Sequence, residues 1–281
     1  MHQIGADQDG QLDDLAAAPN LRVLQKFGLG LRNIDTASCA SSGVKLLTLR
    51  RRANISCAEH AFGLMLMLAR RLGELDGVVT VERIKARQGA YRPFDRRHTA
   101  GGNFARVRGS RPLNGATIGI IGLGEIGREI AIRARAFAMN VIYHQRTRVP
   151  ESEERELGVR YAPLATLLAE SDWIVPQLPT VPSTRDILGR AEFAQMKRGA
   201  FLVNVANAPI VNRAALIEAL RSGQIAGAAL DIHYQEPVAE DDALLSIDNL
   251  ILTPRMAGSP RINALNDFEE LITGLARELS A

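Results

Sequence analysis

The segment from Thr117 to Phe137 limits the fold of this chain more than any other. Thr117-Ile118-Gly119-Ile120-Ile121 is a short, largely β-branched run. Gly122-Leu123-Gly124-Glu125-Ile126-Gly127 follows at once, and from Ile126 to Phe137 the apolar residues fall three and four apart. A Gly-x-Gly-x-x-Gly alone is a weak signal. Placed between a strand and a helix, it is the arrangement that the pyrophosphate of a dinucleotide requires. Gly122 would permit the tight turn, Gly124 the close approach of backbone to phosphate, and Gly127 the packing of helix on strand. The helix start, with Glu125 and Ile126 in its first turn, would offer free N–H groups and the positive end of its dipole to the phosphates.

The rest of the chain repeats this alternation. Short apolar runs occur at Leu21–Leu24, Val44–Leu47, Asn140–Tyr143, Trp173–Val175, Ala200–Val205, Ile225–Leu230 and Leu250–Leu252. Helix-like stretches lie between them, at Ser56–Arg71, Leu164–Leu168 and Arg213–Arg221. Nearly continuous apolar strands alternating with helices predict an α/β fold with a doubly wound, mostly parallel, buried sheet. With 46% hydrophobic and 23% charged residues, the chain is neither disordered nor fibrous. Its longest apolar stretch, Ala61–Ala69, is about half of what a membrane span needs. The acidic start (Asp7, Asp9, Asp13, Asp14) shows no secretory leader. Two cysteines, Cys39 and Cys57, without Cys-x-x-Cys spacing, argue against a disulfide scaffold or a metal site and suit a reducing cytoplasm. The net charge of +3 leaves no nucleic-acid footprint. Thirty of the 34 basic residues are Arg, so each guanidinium has to be argued at its own position. Arg87–Arg111, rich in Gly and Arg, reads as a long loop: a surface excursion, a subunit contact or an anion-facing segment.

The strand after the glycine turn bears on the choice of cofactor. An acidic residue at its end would bind the adenosine ribose hydroxyls of NAD. Here Val141-Ile142-Tyr143-His144 runs into Gln145-Arg146-Thr147-Arg148, with no carboxylate. Gln145 removes the repulsion toward a 2′-phosphate, Arg146 and Arg148 would bind it, and Thr147 would add a hydroxyl. The expectation is NADP(H).

These pieces, with others in order along the chain, make the sequence resemble the D-isomer-specific 2-hydroxyacid dehydrogenases. The others are Gly28-Leu29-Gly30 with Asn33-Ile34-Asp35, Asn54 with Ala58-Glu59-His60, and Leu178-Pro179 with Thr184. Met196-Lys197-Arg198-Gly199 leading to Val203-Asn204, Leu230-Asp231 with Glu236-Pro237, and Asn249 with Thr253-Pro254 complete the set. The turn at 143–148 is similar to that of the NADP-preferring glyoxylate/hydroxypyruvate reductase branch. The resemblance implies a Rossmann cofactor domain over 54–255. It also implies a second, flavodoxin-like substrate domain from 1–53 plus 256–281, truncated at its N-terminal side, and a homodimer. It places Leu178, Pro179, Thr184, Val205 and Asp231 on the cofactor, Asp231 facing the nicotinamide carboxamide. Leu29, Gly30, Arg32 and Arg50 fall on the substrate side, with a small anionic 2-oxo or 2-hydroxy acid between the domains.

The family's catalytic set is an Arg, a His and a Glu, and only Glu236 is retained. Asn207 stands where the Arg belongs and Arg255 where the His belongs. A guanidinium cannot donate a proton near neutrality. Glu236 and Arg255 are expected to pair, either as structure or as a substrate-anchoring cation with Asn207 as a neutral partner. His233, close in sequence to Glu236, is the substitute proton donor to test; His60 reads as an ordinary helix histidine, and His98 lies in the long loop. Arg32 and Arg50-Arg51-Arg52 either point to solvent or enrich the cleft in guanidinium groups for a polyanion. Two functions remain open: an NADP(H)-dependent oxidoreductase with an atypical catalytic set, and a catalytically degenerate NADP(H)-binding paralogue acting as sensor or scaffold.

Overall fold

The structure, a computed structural model, describes residues 18–31, 34–91, 93, 103, 105, 107–260 and 262–280. Along the chain, β1 (Val23–Lys26), α1 (Thr36–Ser41) and β2 (Lys45–Thr48) form a small first unit. Helices α2 (Arg52–Arg70), α3 (Leu72–Leu75) and α4 (Val81–Gln88) follow. Next come β3 (Thr117–Ile121), α5 (Glu125–Ala136), β4 (Asn140–His144), α6 (Glu151–Leu157), β5 (Arg160–Tyr161), α7 (Leu164–Glu170) and β6 (Trp173–Pro176). The chain continues through α8 (Arg190–Gln195), β7 (Ala200–Asn204), α9 (Arg213–Arg221), β8 (Ile225–Leu230) and β9 (Leu250–Leu252) to α10 (Ile262–Ser280).

β1 and β2 pair in parallel as a two-stranded sheet, and the other strands form a seven-stranded parallel sheet in the order β5-β4-β3-β6-β7-β8-β9. The order turns back at β3, so β3 and β6 lie side by side while the connections leave them in opposite directions. In such sheets ligands bind in the crevice beyond the carboxyl ends of those strands. Gly122 and Gln177 stand at that point.

Strand residues alternate between two cores. Ile118, Ile120, Trp173, Val175, Phe201 and Val203 join α2 and α5 on one face, while Ile121, Ile174 and Leu202 join α7 and α9 on the other. Both faces are covered, which is why the strands read as continuous apolar runs rather than alternating ones. Helix α2 begins one turn before the expected Ser56. Its apolar faces are buried within the chain: Ala58, Ala61, Phe62, Leu64 and Met65 are at most 4% exposed. Arg32, His98 and 12 of the 25 residues of the predicted long loop lie outside the described residues, and its first two residues belong to α4.

The β4–α6 corner is organised by three side chains. The buried Tyr143 hydroxyl donates to Glu154 Oε1 at 2.7 Å, and Arg148 holds both carboxylate oxygens at 2.8 and 2.7 Å. Arg148 also lies over the Tyr161 ring, 5.9 Å from its centroid. The Arg148 guanidinium, aided by Tyr143, holds the Glu154 carboxyl down to about 2, and burial pushes the Tyr143 hydroxyl up to about 12. Because Glu154 binds its proton less readily folded than unfolded, it contributes stability above the ordinary carboxylate range. That contribution fades as pH falls through about 2. A Glu154→Gln variant is therefore expected to melt below the wild type at pH 7. Melting curves from pH 7 downward should show the gap closing between about 4.5 and about 2, and a gap constant with pH would refute the assignment.

Candidate active site

The glycine turn has the shape that a pyrophosphate needs. A Cβ on Gly122, whose φ is +103°, would lie 2.5 Å from the Gln177 carbonyl oxygen. One on Gly127 would lie 2.3 Å from the Gly122 carbonyl oxygen, so α5 reaches β3 only because that position is bare. A Cβ on Gly124 would meet nothing within 4 Å. That open side, at the cap of the twelve-residue α5, is where an anion would sit. Behind the turn, the Gln177 amide is buried with neither its nitrogen nor its oxygen hydrogen-bonded. Such a group is costly unless a ligand or water completes it. Gln177 was not singled out from sequence, because nothing in its position within Pro176-Gln177-Leu178-Pro179 marks it. The residues thus fit a dinucleotide on the independent grounds of steric room and an unpartnered amide.

At the β4 end, Gln145 accepts the Leu123 N–H at 3.0 Å and donates to the Thr147 carbonyl at 2.7 Å, tying the two turns together. Arg146 and Thr147 are exposed. Arg148, expected on a 2′-phosphate, is instead drawn to Glu154, whose buried carboxylate needs a cation. Thr184 donates to the Pro179 carbonyl at 2.6 Å and accepts the Val181 N–H at 3.0 Å, so it shapes the loop after β6, which also carries Leu178. Val205 is buried at the end of β7.

Glu236 lies in the segment between β8 and β9, and Arg255 in the loop after β9. Arg255, at φ +55°, donates through Nη1 to Glu236 Oε2, so the expected pair is present. Glu236 also accepts the His233 N–H at 3.1 Å; that bond and the Arg255 guanidinium hold its carboxyl below the usual range. Arg255 remains 66% exposed at its side chain, a cation open to solvent and ligands.

Three expectations are corrected here, and one open alternative is decided. His233 is not poised to give a proton: Nε2 lies 2.8 Å from the Thr253 carbonyl, to which it must donate, and Nδ1 is buried without a partner. Asn207 does not join Arg255; its amide donates to the Leu178 carbonyl at 2.8 Å, locking the loops after β6 and β7 together. Asp231 is 0% exposed, and its carboxylate is turned into the 253–257 loop. It accepts from Thr253 Oγ1 at 2.6 Å and from the Met256 and Ala257 N–H groups at 3.0 and 2.8 Å, which leaves no surface toward a carboxamide. The described arginines do not converge on a cleft. Arg50 pairs with Glu129 at 2.5 and 2.7 Å, Arg52 with Asp267 and Glu270, and Arg51 lies over the Phe27 ring. Each finds an acidic or aromatic partner nearer than any common point.

Two contacts were not foreseen. His60 Nε2 lies 3.1 Å from Thr253 Oγ1 and 3.3 Å from Asp231 Oδ1, so this helix histidine braces the base of the Arg255 loop. Glu125, placed with the cofactor by the glycine motif, reaches away from the phosphate side. It accepts the N–H groups of Leu29 and Gly30 at 2.9 and 3.1 Å and the Asn54 amide at 2.6 Å. Among the described residues no cluster of three His, Cys, Asp or Glu is placed to hold a metal, and no helix is long and apolar enough to cross a membrane.

Residues 62–257 match the family described as D-isomer specific 2-hydroxyacid dehydrogenase, NAD binding domain. The chain belongs to this family. It is 36% identical over 273 residues to a glyoxylate reductase from Thermococcus gammatolerans, covering 97% of this chain and 76% of the relative. It is 35% identical over 252 residues to a D-3-phosphoglycerate dehydrogenase from Archaeoglobus fulgidus, covering 90% of this chain but only 44% of that longer protein. Among solved structures, a glyoxylate reductase from Paecilomyes thermophila superposes with a TM-score of 0.64 at 31% identity, over 92% of this chain and 72% of the other. The seven-stranded unit is accordingly a Rossmann-like nucleotide-binding fold.

The glycine geometry separates two variants. Gly127→Ala forces its methyl against the Gly122 carbonyl, so it should cost about 1–3 kcal/mol of stability and loosen the dinucleotide. Gly124→Ala meets open space, so it should leave stability within about 1 kcal/mol and still weaken binding by filling the phosphate side. Thermal melts and cofactor titrations of both check this; equal stability loss in the two would sink it.

Proposed function

We propose that the chain is an NADP(H)-dependent oxidoreductase that transfers hydride to or from a small anionic 2-oxo or 2-hydroxy acid, with glyoxylate as the first substrate to try. The observation that carries the reading is the cradle at the sheet's turning point, with Gly124 open and the Gln177 amide awaiting a partner. Family membership and the glyoxylate reductases among its relatives support the substrate class. A bound NADPH would supply the hydride. Gly122, Gly124, Ile126 and Gly127 would shape the pyrophosphate site. Arg146, with Thr147 and the neutral Gln145, would receive the 2′-phosphate. Arg255, held by Glu236, would act as the cation that anchors the acid or steadies negative charge growing on its carbonyl oxygen. Part of this reading is a substrate unit of residues 1–53 and 256–281 set against a cofactor unit of 54–255, working as a cytoplasmic homodimer.

The test starts with energy transfer from Trp173, buried on β6, to bound reduced nicotinamide. NADPH should bind in preference to NADH. Arg146→Ala should weaken NADPH by roughly 10–100-fold, the worth of a hydrogen bond between charged groups, and leave NADH nearly unchanged. Equal loss for both cofactors would overturn the role of Arg146. With glyoxylate and NADPH, Arg255→Ala should lower kcat/KM by at least tenfold. A second reading, binding without turnover, is favoured by one observation: His233, the nearest histidine to Glu236 in sequence, has both ring nitrogens withdrawn into the protein. NADPH binding with no oxidation by any 2-oxo acid would select it.

A further inference from the structure

Leu29 and Gly30 present two successive backbone N–H groups at the end of the β1 turn, and Asn54 adds a side-chain amide from the first turn of α2. Three converging neutral donors form a concave site for an anion. That site is filled by a carboxylate belonging to the protein: Glu125 Oε1 takes the two backbone donors and Oε2 takes Asn54. The surroundings are shaped to it. Gly28 has φ +126°, and a Cβ there would come within 2.5 Å of Glu125 Oε1. Asn54 is only 7% exposed, so its amide has little access to water in place of Glu125. The next carboxylate along the same face, Glu129, grips Arg50 and Arg133 and does not compete for these donors.

We infer that Glu125 is an internal carboxylate ligand of the Leu29–Gly30 amides and sets the specificity of this site against external carboxylates. The inference rests on the reading of Leu29 and Gly30 as the substrate side of the cleft. A carboxylate held by the fold against its donors, as Glu125 is, is present at a high local concentration. A small acid therefore binds only in the fraction of molecules whose Glu125 has swung away, and its apparent affinity is lowered by that fraction. The same displaced carboxylate lies at the start of α5, where it opposes the cofactor phosphates. Ligand acid and Glu125 thus compete for the same three donors. A substrate that reaches the site must supply a carboxylate that binds the three donors better than Glu125 does, or must carry its negative charge elsewhere, toward Arg255.

The experiment uses oxalate, a small dicarboxylate that is not reduced, titrated by calorimetry into the full chain with and without saturating NADPH. Glu125→Gln keeps the side-chain length and one acceptor oxygen while removing the charge; Glu125→Ser removes the reach altogether. Oxalate should bind at least tenfold more tightly to both variants than to the wild type, and circular dichroism should show the same secondary structure in all three. Unchanged or weaker oxalate binding in both variants overturns the inference, as does failure of oxalate to bind any of the three. Glyoxylate reduction is followed in parallel. Tighter oxalate binding without turnover keeps Glu125 in this role and removes the reductase reading; turnover with unaltered oxalate binding does the reverse.

Discussion

The contact between Gly127 and the Gly122 carbonyl holds together both the fold and the site. It lets α5 start immediately beyond the carboxyl end of β3, so the unpaired N–H groups of the helix lie at the sheet's turning point. The same helix then reaches outward. Its first-turn Glu125 ties down the Leu29–Gly30 loop, and Glu129, one turn later, ties down Arg50. The small β1–β2 sheet is therefore fastened to the cofactor helix by carboxylates from one helical face, and by Arg52 to Asp267 of α10 on its other side. Burial pushes the Glu129 carboxyl up, and the hydrogen bonds of Arg50 and Arg133 more than reverse this. This pairing survives burial because two cations share it.

That arrangement changes the meaning of the arginine-rich composition. Thirty arginines suggest a surface seeking anions, yet those described near the cleft are mostly satisfied within the chain. Arg50, Arg52, Arg128, Arg133 and Arg148 all pair with Glu or Asp side chains. A guanidinium already bound in two places contributes little to a ligand, since its transfer would strand a buried carboxylate. Under the proposed function, positive charge toward the ligands falls to Arg146, which is exposed, and to Arg255, whose acidic partner leaves most of its surface open.

The strands and the glycine turn were legible because both report on backbone. Continuous apolar runs can only be buried on two faces, and β3, β8 and β9 fall on the predicted residues. The short helices α1, α3, α4, α6 and α8 were not read, since one or two turns carry no period to detect. The Glu236–Arg255 pair was legible from opposite charges at the two positions where the resemblance places the family's Glu and His. The fates of Asp231, His233 and Asn207 were not, because each is decided by which carbonyl or N–H a loop brings near, information held in the path of the chain rather than in residue type. Glu125 is the clearest case. In the sequence it is one variable position inside a glycine motif, and only the fold shows that its carboxylate points across the cleft to another loop.

An arginine at 255, where the resemblance places the family's histidine, bears on how a proton could reach the product under the proposed reaction. Hydride addition to a carbonyl leaves negative charge on oxygen, and a guanidinium can steady that charge without giving up a proton. The proton must then come from elsewhere. Asp231 is enclosed by three donors and has no surface. His233 has one nitrogen engaged by Thr253 and the other enclosed, and Glu236 is held ionised by the His233 N–H and by Arg255. Arg255, by contrast, is largely exposed, so water reaches the oxygen it would bind. Under the proposed reaction the loop would offer a fixed cation, and solvent would supply the proton. A reaction on this scaffold would lose the rate that a positioned acid confers, about 10²–10⁴-fold, while keeping the electrostatic part of catalysis.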